Sequence, residues 1–130
     1  MEPLPEHILV VEDESHTLFT LALVLRKDGF RVSTAKDGAS ALSMLQNAAG
    51  ATDPFDLLVT DLQMAGFDGV DILRELDQQN STLPVIVITS FGNEDKLGEL
   101  KYKNRLICID KPFEPVEILS RVRSMLENTS

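Results

Sequence analysis

Residues 8–14 read Ile8-Leu9-Val10-Val11-Glu12-Asp13-Glu14, four apolar residues followed at once by three carboxylates. The apolar run is too short for a helix and is rich in β-branched side chains, so it predicts a strand that is buried on both faces. The acidic residues then stand at the point where this buried strand ends. A buried strand of this kind is typical of a parallel sheet covered by helices.

Four more segments along the chain predict strands. Three are apolar runs of similar length, Phe55–Val59, Val85–Ile88 and Leu106–Ile109. The fourth, Arg31–Ala35, alternates apolar and polar residues, which is typical of a strand with one wet face or at the edge of a sheet.

Helical periodicity lies between and after these strands. Aliphatic residues at helical spacing end at Gly29, and others follow Gly38, Gly69 and Pro115. A weaker pattern over 93–103, with two leucines and an internal glycine, predicts a short, loosely held helix.

Strict alternation of strands and helices predicts an α/β fold. We expect a flavodoxin-like three-layer sandwich, with a five-stranded parallel sheet in the order 2-1-3-4-5 flanked by five helices. The 130 residues suit one domain, which we place at 6–128, and we expect no output domain in the chain.

Composition excludes several classes of protein. Acidic residues outnumber basic ones by 21 to 12, and the net charge of −9 opposes direct binding to nucleic acid. No apolar run is long enough to span a membrane, and the acidic, proline-containing start is unlike a signal peptide. We therefore expect a soluble, cytoplasmic protein, and its single cysteine cannot form an internal disulfide.

The predicted strand order gathers polar residues at one edge of the sheet. Glu12 and Asp13 follow the first strand, Asp61 the third, Thr89 ends the fourth, and Lys111 follows the fifth. Three carboxylates without histidine or cysteine make a hard oxygen site that suits Mg²⁺. With one divalent cation and the lysine, the group is electrically neutral, so it could accept a phosphoryl group on a carboxylate nucleophile.

Other phosphate-binding proteins of similar architecture fit less well. The sequence contains neither G-x-x-x-x-G-K-[ST] nor G-x-G-x-x-G. In a flavodoxin, three carboxylates after the first strand would repel the phosphate of the cofactor. A haloacid-dehalogenase-type phosphatase needs a second aspartate two residues after its nucleophile, and that position holds Gln63.

Residues 6–128 resemble the receiver domain of two-component response regulators. Four stretches carry the resemblance through their order and spacing: Ile8–Glu14, Asp56–Gly69, Pro84–Ser90 and Asp110–Phe113. It implies a signalling switch in a phosphorelay, which takes a phosphoryl group from a histidine kinase or a histidine phosphotransfer protein. Such a phosphoprotein assists its own phosphorylation and dephosphorylation, and we expect no turnover of a separate substrate.

The resemblance also assigns roles to residues. It makes Asp61 the phosphoacceptor, with Thr89 and Lys111 contacting the phosphoryl group. The implied protein ligands of Mg²⁺ are Glu12 (through water), Asp13, Asp61 and the backbone carbonyl of Gln63. It further implies a cis bond between Lys111 and Pro112, since this turn must aim the lysine at Asp61.

Three departures from the family pattern concern the output surface and the loop after Asp61. Ala65 stands where proline is usual, Cys108 where a switch tyrosine or phenylalanine is usual, and residues 101–105 replace a usual Gly-Ala. Without that ring, we expect the signal to pass through the backbone after the fourth strand. The fourth predicted helix, the fifth strand and the last helix could bind an output partner or a second copy.

An alternative function is a receiver-like protein-interaction module that does not use phosphate. Cys108 favours this alternative, and the complete set of site residues opposes it. We expect Cys108 to be a small buried side chain and His7 and His16 to lie on the surface.

Overall fold

The computed structural model describes residues 4–48, 51–90 and 106–127. Its strands are β1 (His7–Val11), β2 (Arg31–Ala35), β3 (Leu57–Asp61), β4 (Val85–Thr89) and β5 (Leu106–Asp110). The helices of the described residues are α1 (Ser15–Lys27), α2 (Gly38–Ala48), α3 (Gly69–Gln78) and α4 (Pro115–Glu127). None of these helices has the length and apolar character that a membrane crossing requires.

The five strands form one parallel sheet in the order β2-β1-β3-β4-β5, so the predicted fold class and strand order are confirmed. β1 is flanked on both sides, and Ile8 pairs with Val32 on one side and with Leu57 on the other. The predicted helix over 93–103 lies outside the described residues. β3 begins at Leu57, two residues later than predicted, and Phe55 instead packs against the apolar core.

Two apolar layers sandwich the sheet because consecutive strand residues point to opposite faces. One layer joins the sheet to the buried faces of α2 and α3, through Ala41, Leu45, Ile72 and Leu73. The other joins it to α1 and α4, through Leu21, Leu25, Ile118 and Val122.

The edge position of β5 explains why the burial predicted for Cys108 was wrong. Cys108 lies on β5, at the edge of the sheet, and its side chain is exposed rather than buried. β3 and β4, which have a neighbouring strand on each side, are buried at every position. The apolar run of β5 therefore marks a strand without fixing how well each of its residues is covered.

His7, expected on the surface, is largely enclosed. Its side chain is 15% exposed, its ring lies 4.4 Å from that of Phe55, and its Nε2 is 2.7 Å from Ser33 Oγ. Its backbone N–H donates to the carboxylate of Asp56 at 2.8 Å. The enclosure arises because the segment before β3 folds over the first residue of β1. His16 is exposed, as predicted.

Candidate functional site

The carboxyl ends of four strands meet at one edge of the sheet. Leu62, just after β3, donates its N–H to the carbonyl of Ile88 in β4 at 2.8 Å. Lys111, just after β5, donates its N–H to the carbonyl of Thr89 at 2.9 Å. These bonds extend the sheet by one residue and fix the starts of both loops.

Three carboxylates converge at this edge. Oxygens of Glu12, Asp13 and Asp61 all lie within 4.8 Å of one another. Glu12 is 2% exposed and Asp61 is 3% exposed, whereas Asp13 is open to solvent. The structure thus brings together the residues that the sequence placed at the ends of β1 and β3. A cluster of this kind is unfavourable in a partly buried setting unless a cation compensates it.

Lys111 supplies one such cation. Its Nζ lies 2.8 Å from Asp61 Oδ2. Burial lowers the pKa of Lys111, but the hydrogen bond and charge of Asp61, together with Glu12 and Asp13, outweigh this and raise the pKa above its ordinary value. The ammonium is therefore fixed in its charged form. The Lys111–Pro112 peptide bond is cis, which confirms the prediction.

The same surroundings favour the charged form of Lys111 but the neutral form of Glu12. Burial, a hydrogen bond with Asp61 and the charges of Asp61 and Asp13 raise the pKa of Glu12 to about 8, although Lys111 acts to lower it. At neutral pH the side chain therefore holds a proton that it would lose in water. A cation that replaced this proton would relieve the same repulsion.

The cluster fits Mg²⁺. Oε2 of Glu12 is buried and lacks a hydrogen-bond partner in the part of the chain that the structure describes. The donors are all carboxylate oxygens, which Mg²⁺ prefers. Gln63 donates its N–H to Asp61 Oδ1 at 3.3 Å, so its backbone lies beside the cluster, while its side chain is exposed.

Thr89 ends β4 and is 1% exposed. In this structure its hydroxyl donates to the carbonyl of Ser90 at 3.1 Å. Its backbone pairs with Asp110, the residue before Lys111. Thr89 therefore stands at the site edge with its hydroxyl turned to neighbouring backbone.

The carboxylate of Glu14, although adjacent in sequence, is engaged elsewhere. It accepts hydrogen bonds from the N–H groups of His16 and Thr17 and from the Thr17 hydroxyl, and it caps α1. The Thr17 hydroxyl contributes most to lowering the pKa of Glu14. Only two of the three consecutive carboxylates therefore join the cluster.

Sequence reasoning missed one residue that shapes the site. Gly69 begins α3 directly against the backbone of Asp61, and a Cβ placed there would lie 2.3 Å from the carbonyl oxygen of Asp61. Its N–H donates to the Leu62 carbonyl at 3.1 Å, and Asp68 and Asp71 cap the helix reciprocally. The sequence signal that could have identified this residue is Asp68-Gly69 at the start of an apolar helical pattern.

Comparison with known proteins gives a consistent family. A family model described as the response regulator receiver domain matches residues 8–123. The sensory transduction protein RegX3 of Mycolicibacterium smegmatis is 33% identical over 120 residues, which are 92% of this chain and 50% of RegX3. The transcriptional regulatory protein ResD of Bacillus subtilis is 31% identical over 95% of this chain and 49% of ResD. The chain spans about half the length of these curated relatives.

Solved structures agree with the same fold. The receiver domain of the Francisella response regulator 1452 superposes with a TM-score of 0.81 at 28% identity, covering 96% of this chain and 99% of that one. The receiver domain of NtrX from Brucella abortus gives a TM-score of 0.77 at 30% identity, covering 95% of this chain and 99% of that one.

Proposed function

This chain belongs to the family of response regulator receiver domains, and we propose that Asp61 is its phosphoacceptor. The donor in this proposal is a histidine kinase or a histidine phosphotransfer protein of a two-component phosphorelay. The observation that carries the proposal is the 2.8 Å contact between Lys111 Nζ and Asp61 Oδ2, within a cluster of three carboxylates.

Phosphoryl transfer here is nucleophilic substitution at phosphorus. An oxygen of the Asp61 carboxylate attacks the phosphorus of a phosphohistidine, so that a P–O bond forms as the P–N bond breaks. The imidazole leaves with the electron pair of the broken bond and gains a proton from solvent. Lys111 holds one carboxylate oxygen in place and offers its charge to the transferred oxygens. A Thr89 hydroxyl released from the Ser90 carbonyl would donate to one of those oxygens.

Glu12, Asp13, Asp61 and the backbone carbonyl of Gln63 would hold Mg²⁺. When bound, Mg²⁺ offsets the negative charge that the carboxylates and the phosphoryl oxygens bring together. Oε2 of Glu12, which has no hydrogen-bond partner among the described residues, supports this assignment, as does the all-oxygen donor set.

Loss of the phosphoryl group completes the cycle. Water attacks the phosphorus of the acyl phosphate, inorganic phosphate leaves, and the Asp61 carboxylate is restored. The chain is in this proposal a self-modifying switch, without turnover of a separate substrate.

Partners and compartment follow from charge and chemistry. With a net charge of −9, the domain would repel nucleic acid, so we assign any DNA contact to another domain or partner. ResD is named a transcriptional regulatory protein, and this chain matches about half of it. The proposed contact for an output partner or a second copy is the surface of β5 and α4, together with the fourth predicted helix, which lies outside the described residues. We place the transfer in the cytoplasm, where the Cys108 thiol would stay reduced.

One observation favours a second candidate, a receiver-like module that binds proteins without using phosphate. Cys108 occupies the position where the family usually has a switch aromatic. The paired Lys111 and Asp61 support the phosphate-dependent function instead.

The test is phosphorylation by acetyl phosphate in the presence of Mg²⁺, followed by intact-mass spectrometry. We expect the wild-type chain to gain one phosphoryl group and Asp61→Asn to gain none. Asp56→Asn is the matched control, because Asp56 is exposed at the other end of β3 and should leave phosphorylation unchanged. An equal phosphoryl load on Asp61→Asn and wild type would overturn the assignment, and no load on either would favour the phosphate-independent module.

A further inference from the structure

Two glycines, each the first residue of a helix, bracket the loop that leads from Asp61 into α3. Gly69 begins α3 and packs on the backbone of Asp61. Gly38 begins α2 and packs against this loop, where a Cβ would lie 1.9 Å from the carbonyl oxygen of Phe67 and 2.7 Å from its carbonyl carbon. Backbone atoms cannot swing aside as the end of a flexible side chain can, so only glycine permits this approach.

We propose that Gly38 is a positioning residue for the phosphoacceptor: through Phe67 it holds the first turn of α3 against the backbone of Asp61. This inference rests on the function proposed above for Asp61. The three atoms nearest a Cβ at Gly38 all belong to Phe67, and none belongs to the carboxylate cluster.

Packing and hydrogen bonds restrain the segment that connects Phe67 to Asp61. The ring of Phe67 packs against the apolar core and its carbonyl lies against Gly38, so both its side chain and its backbone are in close contact. The next residue, Asp68, accepts from the N–H groups of Val70 and Asp71, while its own N–H donates to the Asp71 carboxylate at 3.0 Å. Gly69 follows, in close contact with Asp61. A displacement of Phe67 therefore passes into the first turn of α3 and on to Asp61.

The other arm of the loop is supported differently. Between the buried Met64 and Phe67 stand Ala65 and Gly66, both exposed, and Gly66 has a positive φ of 75°. Proline, usual in the family at the position of Ala65, would stiffen this arm by fixing its own φ. With alanine there, the contact of Gly38 with Phe67 carries more of the loop's positioning.

Substitution of Gly38 by alanine forces either the loop or α2 to move. α2 is anchored in the core by Ala41, which is 0% exposed, and by Leu45, and its first turn is capped by Asp37 through Ser40 at 2.7 Å. We therefore expect the loop to shift and to move the Asp61 carboxylate away from Lys111 Nζ and from the carboxylates of Glu12 and Asp13. The effect on metal affinity should resemble the loss of a residue that orients a ligand, roughly tenfold or more.

The experiment compares Gly38→Ala with wild type and with Gly29→Ala. Gly29 has a φ of 101°, and among the described residues no atom beyond its chain neighbours lies within 4 Å of where a Cβ would stand, so alanine there adds backbone strain far from the site. Amide NMR spectra of the metal-free proteins are recorded first, and Mg²⁺ is then titrated. Gly38→Ala should shift the amides of residues 61–63 and 67–71 and raise the Mg²⁺ dissociation constant roughly tenfold or more, whereas Gly29→Ala should do neither.

Amide shifts confined to residues 36–48, with an unchanged Mg²⁺ dissociation constant, would show that α2 yields instead and would overturn the proposal. If Gly38→Ala does not fold, Phe67→Ala replaces it. Loss of the ring removes the core contact of residue 67 and so releases the backbone carbonyl that lies against Gly38. An unchanged Asp61 amide in that variant would equally overturn it. A wild-type chain that bound no Mg²⁺ would count against the proposed function alone, since the amide shifts of the metal-free variants still test the positioning role.

Discussion

Lys111 Nζ and Asp61 Oδ2 lie 2.8 Å apart, although 50 residues separate them in the chain and β4 stands between their strands in the sheet. The contact crosses the carboxyl end of β4, beside Thr89, and joins a buried carboxylate to the lysine ammonium. The raised pKa of Lys111 has its source in this carboxylate and its two acidic neighbours. The same charges should govern how the domain responds to metal.

Replacement of Lys111 by methionine should destabilise the metal-free protein by about 2 kcal/mol, because a charge-assisted hydrogen bond is lost beside three carboxylates. The same variant should bind Mg²⁺ more tightly than wild type, since a positive charge that repels the ion is gone. Urea unfolding with a chelator and calorimetric titration with Mg²⁺ measure the two effects. Lys111→Arg keeps the charge and should show a smaller effect on both; an unchanged Mg²⁺ affinity in Lys111→Met would contradict the prediction.

Metal-free protein should lose stability as the pH rises toward 8 because of Glu12. Its pKa in the folded state, about 8, exceeds the ordinary 4.5, so the folded state binds more protons than the unfolded state between these values. The free energy of unfolding then falls with rising pH across that window. Glu12→Gln should flatten this slope, measured by urea unfolding at several pH values.

The control for this prediction is Glu14→Gln, which removes an adjacent carboxylate whose pKa is lowered rather than raised. It should cost stability through the lost cap of α1 and leave the slope assigned to Glu12 in place. A slope that survives in Glu12→Gln would show that another group produces it.

Binding of beryllofluoride, a phosphoryl mimic, should draw the Thr89 hydroxyl away from the Ser90 carbonyl. We expect the amide signals of residues 89–90 to shift. The shifts should continue through residues 91–104, which lie outside the described residues. Thr89→Ser keeps the hydroxyl and should preserve the shifts, whereas Thr89→Ala should confine them to the surroundings of Asp61 and Lys111. Confinement in the wild type would favour the phosphate-independent module.

Cys108 should react with a thiol reagent in the folded protein, because its side chain is exposed on the edge strand β5. Replacement by serine should change the free energy of unfolding by no more than about 0.5 kcal/mol, as for other exposed positions. Colorimetric thiol titration under native conditions and urea unfolding check both statements. Modification that requires denaturant would instead indicate a buried thiol.

Strands and helices of the described residues could be predicted because their signals are local. Apolar runs such as Val85–Ile88 predict strands from their own residues, whichever strand lies beside them, and the strict alternation of elements leaves few arrangements of a parallel sheet. The identities of the site residues came from their positions at strand ends. Their roles came from the resemblance to the receiver family. Neither the identities nor the roles required knowledge of distances between the side chains.

Burial at the margins of the sheet and the close contacts between distant segments could not be predicted in this way. Cys108 lies in an apolar run yet is exposed, because an edge strand is covered on fewer sides than a central one. Glu12, Asp13 and Glu14 are chemically alike and adjacent, yet one is buried with a raised pKa, one is open to solvent, and one caps α1. Similarly, Gly38 indicates only a helix start until the loop of Phe67 is packed against it.

The elements, the polar residues at their ends and the family thus follow from the order of residues along the chain. Protonation and steric fit at the site do not, because a pKa such as that of Glu12 depends on the low dielectric around it. The approach of Gly38 to Phe67 likewise depends on close packing between segments that are distant in the chain. Both conditions exist only once the sheet and its helices have assembled.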